Sequence, residues 1–262
     1  SRGLGDVYKR QILQLSDLHL TGEPAIDASY RRFVTVLNQA LVATPDLLLI
    51  TGDLVNNGVR AGYDWLFARL QHIGIPYLCT AGNHDVSVEH NAHLPFAKRY
   101  LTPIPPDFRL QPMQVRRLGD WQIIVLDSSC SGAIAGHLSA QTLEALGAQL
   151  SQCQRPTLLA LHHHPLAVGS AWIDAHRLQN AEAFLQRIAS FPHVQAVICG
   201  HVHQAHTLFY RHIALYTCPA VARQFLPYAK DFTEDTAPSG WRLIRLTGNH
   251  LNTTVQRLTA LL

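Results

Sequence analysis

The feature that most constrains this chain is a series of short apolar runs, each closed abruptly by polar residues. ILQLS (Ile12–Ser16) is followed by Asp17-Leu18-His19, and LLLIT (Leu47–Thr51) by Gly52-Asp53. YLCTA (Tyr77–Ala81) runs into Gly82-Asn83-His84-Asp85, TLLAL (Thr157–Leu161) into His162-His163-His164, and AVIC (Ala196–Cys199) into Gly200-His201-Val202-His203. Apolar runs this short, bounded by turn residues, read as buried strands. Helical spacing lies between them. Phe33, Val34, Leu37 and Leu41 share one face of Tyr30–Val42, and Tyr63–Ile73 and Leu178–Ile188 repeat the pattern. Ser139 is the expected N-cap of a further helix. Gln114–Arg117 and Gln122–Leu126 read as neighbouring strands around a Gly119-Asp120 turn. From Thr207 the pattern turns mostly to β, with Trp241–Leu246 and Thr253–Leu258. The result is an α/β chain, and ligand sites in such folds gather at the carboxyl ends of the strands.

No low-complexity linker or internal repeat divides the chain, so residues 12–262 are expected to form one domain; Pro103, Pro105 and Pro106 mark a loop. One reverse translation of residues 1–11, SRGLGDVYKRQ, matches a transposase-based sequencing adapter. That segment is read as a cloning or assembly scar, with the first strand starting at Ile12. No run approaches the length of a membrane span. The formal charge of +3 over 262 residues is spread without a basic tract, which argues against a long nucleic acid as partner. The five cysteines are odd in number and none sits in a C-x-x-C pair, which points to a reducing compartment, the cytoplasm. Histidine is the unusual count, at 16, much of it in tight groups.

Those groups coincide with the strand ends. Carboxylate, amide oxygen and imidazole are ligand types that suit iron, manganese and zinc. Alternate residues of an extended segment point the same way, so Asp17 with His19, and His201 with His203, are expected to project as pairs. Glycine lets the backbone turn sharply beside a bound phosphate.

In this order, D-x-H, G-D, G-N-H-D, H-H and G-H-x-H resemble the calcineurin-like metallophosphoesterases. The stretches LHHHPLAVGSAWIDAHRLQNA, FPHVQAVICGHVHQ and FTEDTAPSGWR resemble one branch, the bacterial class III 3′,5′-cyclic-AMP phosphodiesterases. The resemblance covers roughly Ile12 to Leu258. It implies a four-layer α/β/β/α sandwich with a binuclear metal centre, Fe²⁺ or Mn²⁺ with Zn²⁺ also compatible. Asp17, His19 and His203 would hold the first metal and Asn83, His162 and His201 the second, with Asp53 bridging. In the triple histidine, His162 is favoured over His163, and His164 is given a structural role. Two cations about 3.5–4 Å apart clamp a phosphodiester and lower the pKa of a bridging water, whose hydroxide attacks phosphorus in line with the leaving ribose oxygen. His84 is the expected catalytic residue, hydrogen-bonding the phosphate or protonating the leaving oxygen. His19, Asp53 and Asn83 would meet the substrate with it. Asp85 is read either as the partner that orients His84 or as a turn cap.

The substrate implied is a small cyclic nucleotide, 3′,5′-cyclic AMP; oligomeric state stays open. Glycerophosphodiesters and 2′,3′-cyclic nucleotides are the alternatives, and a scaffold that has lost its metals is the reading from another class. Phosphoprotein phosphatases of this superfamily carry G-D-x-x-D-R-G, whereas Gly52–Gly58 has Asn56 and Asn57 in place of the aspartate and arginine. For the base, Trp172, His176 and Asn180 are candidates, with Trp172 stacking on adenine, and Gln224–Trp241 is a candidate lid.

Overall fold

The computed structural model describes residues 9–24, 26–95 and 98–259. Strand β1 (Lys9–Leu15) leads to helix α1 (Ala28–Ala40), β2 (Leu47–Thr51), α2 (Arg60–Ile73) and β3 (Tyr77–Thr80). A hairpin, β4 (Ser87–His90) and β5 (Tyr100–Pro103), precedes β6 (Met113–Leu118), β7 (Trp121–Leu126), α3 (Ala140–Gln152) and β8 (Thr157–Leu161). Then come α4 (Ala171–Asp174), α5 (Ala181–Ala189), β9 (Val194–Cys199), β10 (Thr207–Tyr210) and β11 (Ile213–Thr217). A second hairpin, β12 (Gln224–Phe225) with β13 (Glu234–Asp235), and the pair β14 (Gly240–Thr247) and β15 (His250–Arg257) complete the fold.

Two sheets carry it, in the orders β15-β14-β1-β2-β3 and β10-β11-β9-β8-β7-β6. β1, β2 and β3 run parallel, as do β7, β8, β9 and β11. Three apolar clusters define the layers. Phe33, Leu37, Leu66 and Leu70 of α1 and α2 pack on Leu13, Leu15, Leu48 and Ile50. Ile12, Leu47, Leu49, Ile123, Val125, Leu158 and Ile198 fill the space between the sheets. Leu146, Leu150, Phe184 and Ile188 of α3 and α5 cover Ile124, Leu159 and Val197. Because the strands bury both faces, they read as continuous apolar runs rather than alternations. This is the expected four-layer α/β/β/α sandwich.

Local chemistry fixes the ends of the elements. Asp27 caps α1 by accepting from Ser29 N, Ser139 caps α3 by accepting from Thr142 N, and α2 stops at Gly74 in the left-handed region. The first strand begins three residues earlier than expected: Lys9, Arg10 and Gln11 pair with Thr247, Leu246 and Arg245. The rest of the segment read as a scar, residues 1–8, lies outside the described residues. The β4–β5 hairpin, where the prolines were read simply as a loop, was not visible in the sequence pattern. No described helix is long and apolar enough to cross a membrane, and all five cysteines are unpaired.

Candidate metal centre

All five polar segments meet at one edge of the sandwich, and the backbone stitches them together. Asp17 N donates to Gly52 O, His19 N to Asp53 O, and Gly200 N to His162 O. Beneath them, buried Gln14 Nε2 donates to Thr51 Oγ1 and Cys199 O, tying one sheet to the other. The expected extended geometry is replaced by a left-handed one. Asp17, His19, Asp53, His201 and His203 have φ of 54°, 46°, 50°, 68° and 52°. Left-handed backbone is costly for residues with a side chain and concentrates at functional sites. Here it turns each side chain off its strand end into a shared centre. Gly52 (φ 86°) serves close approach: a Cβ there would stand 2.3 Å from the His162 ring.

Two clusters result. The first gathers Asp17, His19, Asp53 and His203, whose donor atoms lie within 4.8 Å of one another. His203 Nδ1 donates to Arg223 O at 2.7 Å, and His19 Nδ1 meets Asn56 Oδ1 at 2.7 Å. Both rings therefore present Nε2 as a bare acceptor, and the two Nε2 atoms stand 3.2 Å apart. Asp17 Oδ1 is 3.2 Å from His203 Nε2, and Asp53 Oδ2 is 3.6 Å from His19 Nε2. Four acceptors converging without a donor among them fit a divalent cation.

The second cluster holds His162 and His201. His162 Nδ1 donates to Thr51 O at 2.8 Å, which aims Nε2 at Asn83 Oδ1 (3.3 Å) and Asp53 Oδ2 (3.5 Å). His201 Nε2 is buried without a hydrogen-bond partner, a cost that a metal would remove. Proximity alone would admit His163 as well. Its ring is already committed, with Nε2 donating to Ile134 O at 3.0 Å and Nδ1 facing Ser128 Oγ at 2.8 Å. Its remaining lone pair, on Nδ1, is taken by the Ser128 hydroxyl, whereas His162 Nε2 faces Asn83 and Asp53. His164, paired with Asp174 at 3.1 Å, stands outside both clusters.

Burial opposes ionisation of Asp53, yet the nearby His162 and His84 hold its carboxyl well below the usual range. Burial likewise works against a charged His162, but Asp53 raises it to about 9. Burial pushes His19 down to about 4 and holds His201 well below its ordinary value. Asp53 thus draws positive charge onto His162, while burial keeps His19 and His201 neutral, their lone pairs free to ligate.

His84 lies beside this centre, its ring edge-on to His19 at 4.8 Å and its backbone N donating to Asp53 Oδ1 at 2.9 Å. Asp85 does not orient it. The Asp85 carboxylate accepts from Leu54 N, Val55 N, Gly82 N and the Tyr63 hydroxyl, which fills its lone pairs. It is the turn cap, stapling the Asn83 turn to the Asp53 loop, and burial, with Asp53 adding to it, raises it to about 6.

A cavity of about 420 Å³ opens over the centre, a volume typical of small-molecule sites. His19, Asp53, Asn83, His84, His201 and His203 line it, together with the mutually packed rings of Trp172, Phe225 and Phe232. Arg32, Arg99 and Arg223 stand on its sides, Arg99 paired with Glu89 and Arg223 with Glu234. Of the three residues proposed from sequence for the base, only Trp172 reaches the cavity. Asn180 is spent on the backbone, accepting from Leu138 N and donating to Leu138 O. His176 is half-buried away from the cavity lining. The Gln224–Trp241 segment contributes the β12–β13 hairpin, which brings Phe225 and Phe232 to the cavity lining. Sequence reasoning named neither ring, nor Asn56 as the partner of His19. The only signal was that Asn56 occupies the G-D-x-x-D position.

A fold of this layering, with histidine and aspartate converging at the strand ends, defines a metallophosphoesterase, a class of hydrolase. The comparisons agree. Residues 10–205 match the calcineurin-like phosphoesterase family. A probable cyclic nucleotide phosphodiesterase of Moraxella catarrhalis is 46% identical over 90% of this chain and 87% of its own. The 3′,5′-cyclic adenosine monophosphate phosphodiesterase CpdA of Escherichia coli K12 is 36% identical over 81% of this chain and 74% of its own. Among solved structures, a dimetal phosphatase from Danio rerio superimposes with a TM-score of 0.60 at 14% identity, covering 95% of this chain and 99% of that one. The chain belongs to the calcineurin-like phosphoesterase family.

Proposed function

We propose that this protein hydrolyses 3′,5′-cyclic AMP to 5′-AMP at a centre of two divalent cations, Fe²⁺ or Mn²⁺. Asp17, His19 and His203 would hold one and Asn83, His162 and His201 the other, with Asp53 shared between them. The observation that carries the reading is the position of Asp53 Oδ2, 3.6 Å from His19 Nε2 and 3.5 Å from His162 Nε2. One oxygen faces both clusters, and His84 N fixes its neighbour Oδ1. When bound, two such cations supply charge neutralisation of the phosphodiester and a water of lowered pKa.

The chain's own residues do the rest. The left-handed loops turn the donors toward one another before substrate arrives, the preorganisation such a site needs. The half-buried His84 ring reaches the cavity, where it donates to the phosphate or protonates the leaving ribose oxygen. Trp172, Phe225 and Phe232 give a planar base an apolar wall. The relatives named as cyclic-nucleotide phosphodiesterases support this substrate class, and the five free cysteines fit the cytoplasm. The experiment is a turnover comparison of 3′,5′-cyclic AMP, cyclic GMP, 2′,3′-cyclic AMP and a glycerophosphodiester on metal-analysed protein. Preference for 3′,5′-cyclic AMP, with 5′-AMP as product, is expected; faster turnover of the glycerophosphodiester or the 2′,3′-cyclic nucleotide overturns the assignment.

A further inference from the structure

The β12–β13 hairpin does more than wall the cavity. Its leading edge carries two of the contacts that orient His203: Arg223 O accepts from Nδ1, and the Phe225 ring lies on the imidazole with centroids 3.8 Å apart and planes 8° apart. We propose that Phe225 is a positioning residue for the metal ligand His203, making the hairpin that faces the substrate also a support of the metal centre.

A ligand binds a cation only along the direction of its lone pair. The Nε2 lone pair lies in the imidazole plane, so the tilt of that plane decides whether it points into the space shared with Asp17 Oδ1 and His19 Nε2. The Nδ1 bond to Arg223 O fixes the tautomer and one direction, but leaves the ring free to rock about that axis. A flat ring stacked on its face removes the rocking. The other rings of the centre meet their neighbours at steeper angles: His19 on His84 at 74°, His162 on His163 at 87°, and His162 on His201 at 67°.

The stack also has an electronic logic. Two neutral aromatic rings prefer edge-to-face or offset contact. Close, near-parallel contact is favoured when one partner is electron-poor, as an imidazole becomes when its Nε2 binds a cation, because the Phe225 face is negative. Phe225 is itself held in place. Trp172 meets it edge-on at 4.9 Å, Leu226 N donates to Thr233 O, and Gln224 Nε2 donates to Ala220 O.

The inference rests on the two-metal reading, and its test is metal affinity rather than turnover. Metal-stripped full-length wild type, Phe225→Leu, Phe225→Met, Phe225→Tyr and Phe232→Leu are titrated with Mn²⁺ by calorimetry, with folding checked by circular dichroism. Phe225→Met keeps a long, adaptable apolar side chain while removing the aromatic face, and serves if Phe225→Leu does not fold. Supporting groups around metal ligands are worth about 10–100-fold in affinity. Phe225→Leu and Phe225→Met are therefore expected to weaken one of the two binding steps about tenfold and to leave the other unchanged. Phe225→Tyr restores both steps, and Phe232→Leu leaves both as in wild type. Unchanged affinity at both steps in the Leu and Met variants overturns the proposal, as does equal weakening of both steps by Phe225→Leu and Phe232→Leu. Wild type that takes up no Mn²⁺ overturns the two-metal reading, and this inference with it.

Discussion

The Nε2 atoms of His19 and His203 face each other at 3.2 Å, each with its Nδ1 already engaged elsewhere. Without a cation between them, these lone pairs and the Asp17 carboxylate repel, so the folded state should gain stability from metal. A ligand at a hundredfold excess over its Kd stabilises by about 2.7 kcal/mol, which for a domain of this size raises Tm by about 5–10 °C. Thermal melts with and without Mn²⁺ check this; an unchanged Tm contradicts it.

His84 should separate chemistry from metal binding. Its ring reaches the cavity but is tied to neither cluster by a hydrogen bond among the described residues, whereas its backbone N supports Asp53. His84→Ala removes the ring and keeps that N–H. We expect kcat to fall about 10²-fold or more, with metal content and KM nearly unchanged. Loss of metal in this variant would mean that His84 is a ligand.

Tyr63 tests the staple beneath the centre. Its hydroxyl donates to buried Asp85 Oδ1 at 2.6 Å, 22 residues along the chain. Deleting one hydrogen bond to a charged acceptor costs about 2 kcal/mol, so Tyr63→Phe should lower Tm by about 4–8 °C. Because Leu54 N, Val55 N and Gly82 N still hold Asp85, turnover should persist well below Tm. A Tm within a degree of wild type would show the staple to be redundant.

Much of this was written in the sequence, for a physical reason. Strands buried on both faces are largely apolar, so a polar side chain at their ends stands out; Asp17, His19, Asp53, Asn83, His162, His201 and His203, which the fold brings together, were legible this way. What supports them was not. Asn56, Phe225 and Phe232 are ordinary loop and hairpin residues in sequence, and only the tertiary fold carries them to the site. The distinction between His162 and His163 is likewise a matter of hydrogen bonding, with Ser128 and Ile134 occupying one ring and Thr51 turning the other toward Asn83. The left-handed φ of Asp17, His19, Asp53, His201 and His203 has no compositional mark, because these residues carry side chains where glycine would be the usual signal.

Gly52 shows how tightly the backbone is packed on a ligand. A methyl group there would stand 2.3 Å from His162 Nδ1, at a φ of 86° that side chains rarely adopt. Gly52→Ala must therefore displace the His162 ring or the β2 loop. We expect at least about a 10²-fold loss of turnover and weakened uptake of one metal. Wild-type metal content and rate in Gly52→Ala would show that the ring has room to move.

The central claim is that two cations, joined by Asp53, make the catalyst. It is tested most directly by titrating metal-free protein with Mn²⁺ while following hydrolysis of 3′,5′-cyclic AMP. No turnover is expected in the metal-free protein, and full activity only as a second equivalent per chain is bound. Full activity at one equivalent, turnover in metal-free protein, or none at saturation would contradict it.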